Sequence, residues 1–303
     1  MGIISSITAL LKQVSLGVFY FKIGLLFRET NVINGIMSCI EVLQGVSKQQ
    51  IEKLMNVDEI YLRKLLGAHS KVPKEALFIE TGRVPINIVI KVRRLMYWWH
   101  LVKKDDNSML SKFYEAQKSF PVKGDWIKLL NNDKEIFEIN ISDDELIKKF
   151  KTKNSFKNFL KKKAKEVTIN YLKELKNKHS KLDDIAFTEL KCASYLTDQR
   201  ISQREAKLLF KLRTCMYQVK INFKELHKND LSCDLCKSAT CDQSHLLQCK
   251  VLHKLIPELT FTKVKYHHLF GGIENMIPAI KLFKKVTEEH DEILQVLSKS
   301  PKM

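Results

Sequence analysis

Cys233-Asp-Leu-Cys236-Lys-Ser-Ala-Thr-Cys241-Asp-Gln-Ser-His245-Leu-Leu-Gln-Cys249 holds the pattern Cys-x2-Cys-x8-His-x3-Cys. Two cysteines separated by two residues let a tight turn aim both thiolates at one point. A His and a Cys four apart share one face of a helix, where they can complete a tetrahedron with the first pair. Four nitrogen and sulfur ligands with no open position describe a structural Zn2+ site rather than a catalytic one. The ligands Cys233, Cys236, His245 and Cys249 sit among Asp234, Lys237, Ser238, Asp242 and Gln243, not in an apolar run of buried thiols. Cys241 is a rival ligand within the loop, but its spacing to Cys236 fits less well.

Around this stretch the chain reads as helices. Its 303 residues suffice for two domains or one extended helical assembly. A hydrophobic content of 45% is ordinary for a protein with a real core. The net charge of +18, with a pI near 9.5, points to an anionic partner. That pointer is weakened because only 8 of the 52 basic residues are Arg, and Lys is the default surface residue. Four of the seven cysteines lie in the quoted stretch, while Cys39, Cys192 and Cys215 are scattered. This is a reduced, intracellular pattern, nuclear or cytoplasmic, and not a disulfide framework of a secreted protein. The apolar start, Ile3 to Phe27, is broken by Lys12 and Lys22 and lacks a basic segment before it, so no signal peptide is expected. No run reaches the ~20 apolar residues of a membrane span.

Helical periodicity begins over residues 4–27 and continues from Thr30 through Leu43. Ser47 is placed to cap the next helix, which carries Ile51, Leu54, Met55, Asp58, Tyr61, Leu62 and Leu65 at helical spacing and ends at Gly67. Pro73 to Gly82 is a connector with a short helical piece. Pro85 opens a helix at its first turn, and Ile86 to Val102 is apolar nearly all round, so it is buried on most sides. Within it, Arg93 or Arg94 is expected to pair with Glu80. Asp105 to Ser108 is a turn, Met109 to Lys118 a short helix, and Asp125 the N-cap of another. Ser142-Asp-Asp-Glu145 and Ser202-Gln-Arg-Glu205 are capping boxes. Strand signals are sparse. The fold class is mainly α: a helical thumb-like region, then a basic helical region and a small CCHC zinc knuckle.

From Lys148 to Lys181 there are 13 Lys against Glu166 and Glu174. The apolar positions Phe156, Phe159, Leu160, Ala164, Val167, Tyr171 and Leu175 make one helical stripe, with Lys157, Lys161, Lys162 and Lys165 off it. A helix packed on one side and basic on the other suits a phosphate backbone. The same pattern also fits a solvated face with no ligand. The second capping box opens a helix through Lys220, where Arg204, Lys207, Lys211 and Arg213 recur every three or four residues. Leu208, Leu209, Leu212 and Met216 make its other face.

No Gly-rich phosphate loop, Gly-x-Ser-x-Gly elbow or His-Glu-x-x-His helix occurs. The pairs Asp105-Asp106, Asp143-Asp144 and Asp183-Asp184 lie in turns or a helix cap. None is flanked by the apolar strand residues that a two-metal polymerase hairpin needs. No catalytic residue and no small-molecule substrate are therefore expected.

Several stretches stand in order along the chain: Leu65-Leu-Gly-Ala-His-Ser-Lys-Val-Pro73, Glu80-Thr-Gly82, Arg93-Arg-Leu-Met-Tyr97, Lys123-Gly-Asp-Trp126, Leu212-Arg-Thr, Asn222-Phe223, and the Cys/His pairs. Together they resemble the C-terminal part of the reverse transcriptase polyprotein of non-LTR (LINE-class) retrotransposons. Gly17-Val-Phe-Tyr-Phe21, Leu25-Leu-Phe-Arg-Glu29, Asn34-Gly35 and Glu41 are similar to the segment just after that family's polymerase palm. The resemblance covers nearly the whole chain. It implies that Cys233, Cys236, His245 and Cys249 are metal ligands, with Asp242 matching an acidic residue of the family's cluster. It also implies a role in gripping the element's RNA or the target DNA. The endonuclease and the Phe/Tyr-x-Asp-Asp turn of the family are absent from the chain, which reads as a truncated copy or a gene product begun at an internal Met.

These readings divide the chain into residues 1–67 after an absent palm, a thumb-like 68–140, a Lys-rich 141–221, a knuckle at 222–256 and a helical tail at 257–303. The leading expectation is a non-catalytic nucleic-acid-binding remnant that grips phosphates through Lys157, Lys161, Lys162, Lys165, Arg204, Lys207, Lys211 and Arg213. One alternative is the C-terminal module of an RNA-directed DNA polymerase whose palm is encoded upstream, which makes upstream reverse transcriptase domains a partner. The other is a zinc-stabilised protein-interaction module.

Overall fold

The structure is a computed structural model that describes residues 19–37, 48–104, 108–120, 122, 125–227 and 230–299. The expected helix over 4–18, the second half of Thr30–Leu43, the Ser47 cap and most of the Asp105–Ser108 turn lie outside the described residues. What is described is mainly helical. Among the described residues there is no strand, only an isolated antiparallel bridge between Ser232 and Thr240.

Besides two single-turn helices, Ile33–Ile36 and Glu258–Phe261, the α-helices among the described residues are α1 Phe19–Phe27, α2 Lys48–Leu66, α3 Lys74–Thr81, α4 Ile86–Val102, α5 Met109–Ser119, α6 Trp126–Ile136, α7 Asp143–Lys149, α8 Lys153–Lys176, α9 Gln203–Arg213, α10 Lys250–Leu255 and α11 Ile273–Lys299. A π-helical turn, Arg28–Val32, continues α1. The N-caps form as their residue types require. Asp125 accepts from the Lys128 amide at 2.9 Å, and Ser142 and Ser202 each complete a capping box. Pro85 stands one position earlier than expected, as the N-cap of α4.

Several helices end on one device, a residue in the left-handed region that lets the next amide reach back five residues. Gly67 (φ 65°) does this for α2 through Ala68 N to Arg63 O at 2.9 Å. Cys215 (φ 51°) does it for α9 through Met216 N to Lys211 O at 2.8 Å. So α9 stops at Arg213 and does not run to Lys220 as expected; the stop signal is carried by a cysteine, which has no glycine-like signature in the sequence.

Two large apolar cores organise the molecule. The first gathers α1, α2, α3, α9, the knuckle, α10 and α11, with Tyr61, Leu62, Leu77, Leu209, Phe210, Cys249 and Phe283 inside. The second gathers α4 to α7 around Trp98, Trp126, Leu130 and Phe137. α8 belongs to both. Phe156, Leu160 and Ala164 enter the second core, Leu172 enters the first, and Tyr171 packs against each.

Buried ion pairs cross-link the elements. Arg28 grips Asp58 with two bonds, at 2.6 and 2.5 Å, and donates to Val84 O at 3.1 Å, joining α1, α2 and the start of α4. Arg94 and Lys91 share Asp133, at 2.5 and 3.0 Å, tying α4 to α6. The expected Glu80 pair with Arg93 or Arg94 does not form. Arg93 instead reaches Asn34 and the Met37 carbonyl, and Glu80 is taken by Arg213 from α9. The two groups 133 residues apart meet because α3 and α9 belong to the same core.

Candidate metal centre

The four ligand residues come from two short pieces of chain. The first is a tight hairpin. Cys233 N donates to Ala239 O at 2.8 Å and Cys241 N to Leu231 O at 2.7 Å, on either side of the Ser232–Thr240 bridge. Its turn closes through Lys237 N to Cys233 O at 2.9 Å, with Lys237 itself left-handed (φ 54°). This puts Cys233 and Cys236 on the inner side of one loop.

The second piece differs from expectation. His245 and Cys249 do not lie on one helix. His245 sits in a 3-10 turn, His245–Leu247, and Cys249 is the N-cap of α10. Asp242 shapes the turn: its Oδ1 accepts from the His245 amide at 2.6 Å and from the Ser244 hydroxyl at 2.8 Å. The acidic residue thus orients a ligand from behind and is not itself a ligand.

The four ligand atoms lie within 4.8 Å of one another. Cys233 Sγ stands 4.0 Å from Cys249 Sγ, and Cys236 Sγ 3.3 Å from His245 Nε2. A tetrahedron with ordinary Zn–S and Zn–N bonds has edges of roughly 3.5–3.8 Å, so the cage is of the right size for such an ion. Cys233 and Cys249 are fully enclosed and His245 nearly so. Burial works against ionising Cys236, but bonds from the Ser238 hydroxyl and amide, Cys233 and His245 outweigh it and bring that thiol down to about 6. Burial pushes Cys249 up to about 11, against the pull of the Leu252 and Val251 amides. A cation held here would take its cysteines as thiolates and release their protons. Cys241, the rival, is buried outside the cage, with its amide and carbonyl committed to Leu231 and Ile221.

The centre is built into the first core and does not hang from it. Gln243, two residues before His245, is the clasp. Its Nε2 donates to Leu212 O at 2.8 Å, and its Oε1 accepts from Asn222 Nδ2 at 3.2 Å and Tyr217 N at 3.4 Å. Tyr266 OH donates to the same Leu212 carbonyl at 2.8 Å. The end of α9 is thereby bonded to the knuckle. On the hairpin side Lys220, itself buried, pairs with Asp230 at 3.0 Å and Asp234 at 2.8 Å. Ligand spacing reveals none of these groups. Asn222 stood out only as part of a motif, and Gln243 looked like one more polar residue of the loop.

No family model, curated protein or solved structure matches the chain.

The basic residues fall into two groups. On α8, Lys157, Lys161, Lys162 and Lys165 are all exposed, and none forms an ion pair among the described residues. The helix's acids are engaged elsewhere, Glu166 with Lys163 and Glu174 with Lys178. Lys157, Lys161 and Lys165 each follow a buried residue, Phe156, Leu160 and Ala164, so they form a ridge about a quarter turn from the buried one. On α9 only Arg204 is fully exposed. Lys207 is half-buried over the Tyr20 ring, its Nζ 4.7 Å from the centroid, and Lys211 is half-buried. Arg213 is a correction. It lies 7% exposed, bonded to Glu80 at 2.9 Å and to Leu269 O at 2.7 Å, where no phosphate can reach it. α8 packs on α3 and α4, whereas α9 packs on α2 and α11, so the two helices serve different neighbours.

Of the Asp pairs, Asp143 opens α7 and accepts from the Trp98 indole at 2.8 Å, the Tyr114 hydroxyl at 3.1 Å and Lys118 at 2.9 Å. These bonds tie α4, α5 and α7 together. No described helix is long and apolar enough to cross a membrane.

Proposed function

We propose that the chain binds nucleic acid through the lysine ridge of α8, with a structural Zn2+ at Cys233, Cys236, His245 and Cys249. The supporting observation is the ridge: Lys157, Lys161, Lys162 and Lys165 are exposed and form no ion pair among the described residues, on a helix whose other side is fixed in two cores. Successive members four residues apart stand ~6 Å apart along the axis, a row of cations suited to a row of phosphates. Arg204 and Lys211 add weaker positive surface on α9. Zn2+ would supply a cross-link rather than chemistry, since four protein ligands leave no open position. The resemblance to the C-terminal part of non-LTR reverse transcriptases gives this reading its biological setting: a non-catalytic piece that grips template RNA or target DNA.

The test is a salt series. Anisotropy of a labelled oligonucleotide with the whole protein should give a log–log slope of about −0.7 to −0.9 per phosphate neutralised. Replacing the four ridge lysines by Gln should flatten that slope by about three units. An affinity that does not change between low and high salt overturns the reading. For the metal, the purified protein should carry about one zinc per chain, and Cys233→Ser or His245→Ala should lower it; undiminished zinc in both variants overturns that part.

A further inference from the structure

α5 is apolar on the side that faces away from the protein. Met109 is 86% exposed, Phe113 62% and, just past the helix, Phe120 81%. At ~100° per residue Met109, Phe113 and Ala116 fall within one narrow sector of the helix, and Phe120 is its C-cap, with φ −131° and ψ 70°. The orientation is not free to change. Tyr114 and Ser111 on the opposite side are buried, and Tyr114 OH is held by the Trp98 indole at 3.1 Å. The phenylalanines cannot turn inward without breaking that bond.

The surroundings indicate what covers this face. Lys112 lies beside the stripe, and Lys103 and Lys104 end α4 nearby in the chain; all three are exposed. The single acid of α5, Glu115, is engaged by Lys118 at 3.1 Å. A polyanion with flat apolar faces complements such a surface. Duplex nucleic acid offers phosphates but hides its base faces in the stack; a single strand offers both. Leu110, 44% exposed, and Val122, 68% exposed, enlarge the apolar surface, so a bilayer is the competing occupant that the vesicle probe below tests. The stripe and the α8 ridge also share a support, since the Trp98 ring that holds Tyr114 packs edge-on against Phe156 of α8.

We propose that Phe113 and Phe120 form a stacking platform for unpaired bases, so that the chain prefers single-stranded over duplex nucleic acid. The proposal rests on the nucleic-acid reading above and deepens it. The lysine ridge takes phosphates, and the α5 face takes bases.

The experiment compares the whole protein with Phe113→Ala/Phe120→Ala and Phe113→Trp/Phe120→Trp variants. Both sites are exposed, so the variants keep the parent's melting temperature. The probes are a labelled single-stranded oligonucleotide, the same sequence as a blunt duplex, and vesicles containing phosphatidylserine. The Ala variant should lose about tenfold or more for the single strand, with duplex affinity and salt slope unchanged. The Trp variant should bind at least as tightly as the parent. Equal loss on single strand and duplex overturns the proposal, as does an Ala variant that binds the single strand like the parent. So does an Ala substitution whose effect is loss of vesicle binding or of self-association in place of single-strand binding. These failures leave the α8 ridge reading standing if ridge variants still lose affinity. A parent protein that binds neither nucleic acid overturns both.

Discussion

α8 and α9 carry similar writing and meet opposite fates. Both are helices with basic residues at three- and four-residue intervals and an apolar stripe. On α8 the cations stay in water, and the acids that could neutralise them pair with Lys163 and Lys178. On α9 the cations are drawn inward, Arg213 to Glu80 and Lys207 onto Tyr20, and Arg204 alone stays fully exposed. The difference lies in what surrounds each helix. α9 packs on α2, on α11 and on the 3-10 turn Tyr266–Phe270, so little of its circumference is left for charge. α8 packs along one side, on α3 and α4. A basic pattern in a sequence therefore indicates a surface only where the helix has a free side. A planar guanidinium is also more readily spent on an internal carboxylate than a lysine is.

The contrast can be pressed from its largest consequence to its smallest. Removing the proposed zinc, by chelation or Cys233→Ser, should forfeit binding free energy on the order of 10 kcal/mol. Hydrogen exchange should then rise in the knuckle and at the end of α9, which Gln243 joins to it, and stay unchanged in the second-core half of α8. Equal loosening of both helices would erase the distinction. Arg213→Ala should cost about 3–5 kcal/mol in chemical denaturation, because Glu80 is left buried without its partner. It should not alter the salt slope of nucleic-acid binding. Gln243→Ala should cost about 1–3 kcal/mol, because the buried Tyr217 amide loses its acceptor, while the Leu212 carbonyl keeps Tyr266 and Asn222 keeps the Tyr217 carbonyl; the Cys/His cluster should still take up metal. Last, Gln at Lys157, Lys161, Lys162 and Lys165 should leave stability within about 0.5 kcal/mol for each site while binding weakens. A marked loss of stability there would mean that these lysines serve the fold.

Much of the helical frame could be read from the chain. Asp125, Ser142 and Ser202 announced their helices through local chemistry that the rest of the molecule does not disturb. The limits of α4 were legible for the same reason, as a mostly apolar run behind a proline. The Cys/His cluster was legible because a site able to hold a metal ion needs thiols and imidazole at a few fixed spacings. Its second half was misread in detail: His245 and Cys249 come together through a 3-10 turn and a helix cap, which preserve the four-residue spacing without one continuous helix. The end of α9 was missed because a left-handed cysteine does what glycine usually does. Partners far apart in sequence were the least legible. Arg28 with Asp58 and Arg213 with Glu80 depend on which helices share a core, and no local pattern carries that. The exposed phenylalanines of α5 looked like ordinary helix residues until the opposite side was seen to be the buried one.

α8 is anchored differently at its two ends. Its twenty-four residues span ~36 Å. Phe156, Leu160 and Ala164 are set in one core, Leu172 in the other, and the lysines project from the first of these stretches. In mechanical terms it is a beam on two supports, loaded over one of them. Tension from a strand held on the ridge would fall on the second core first, with the far end of the helix held as a stay in the other.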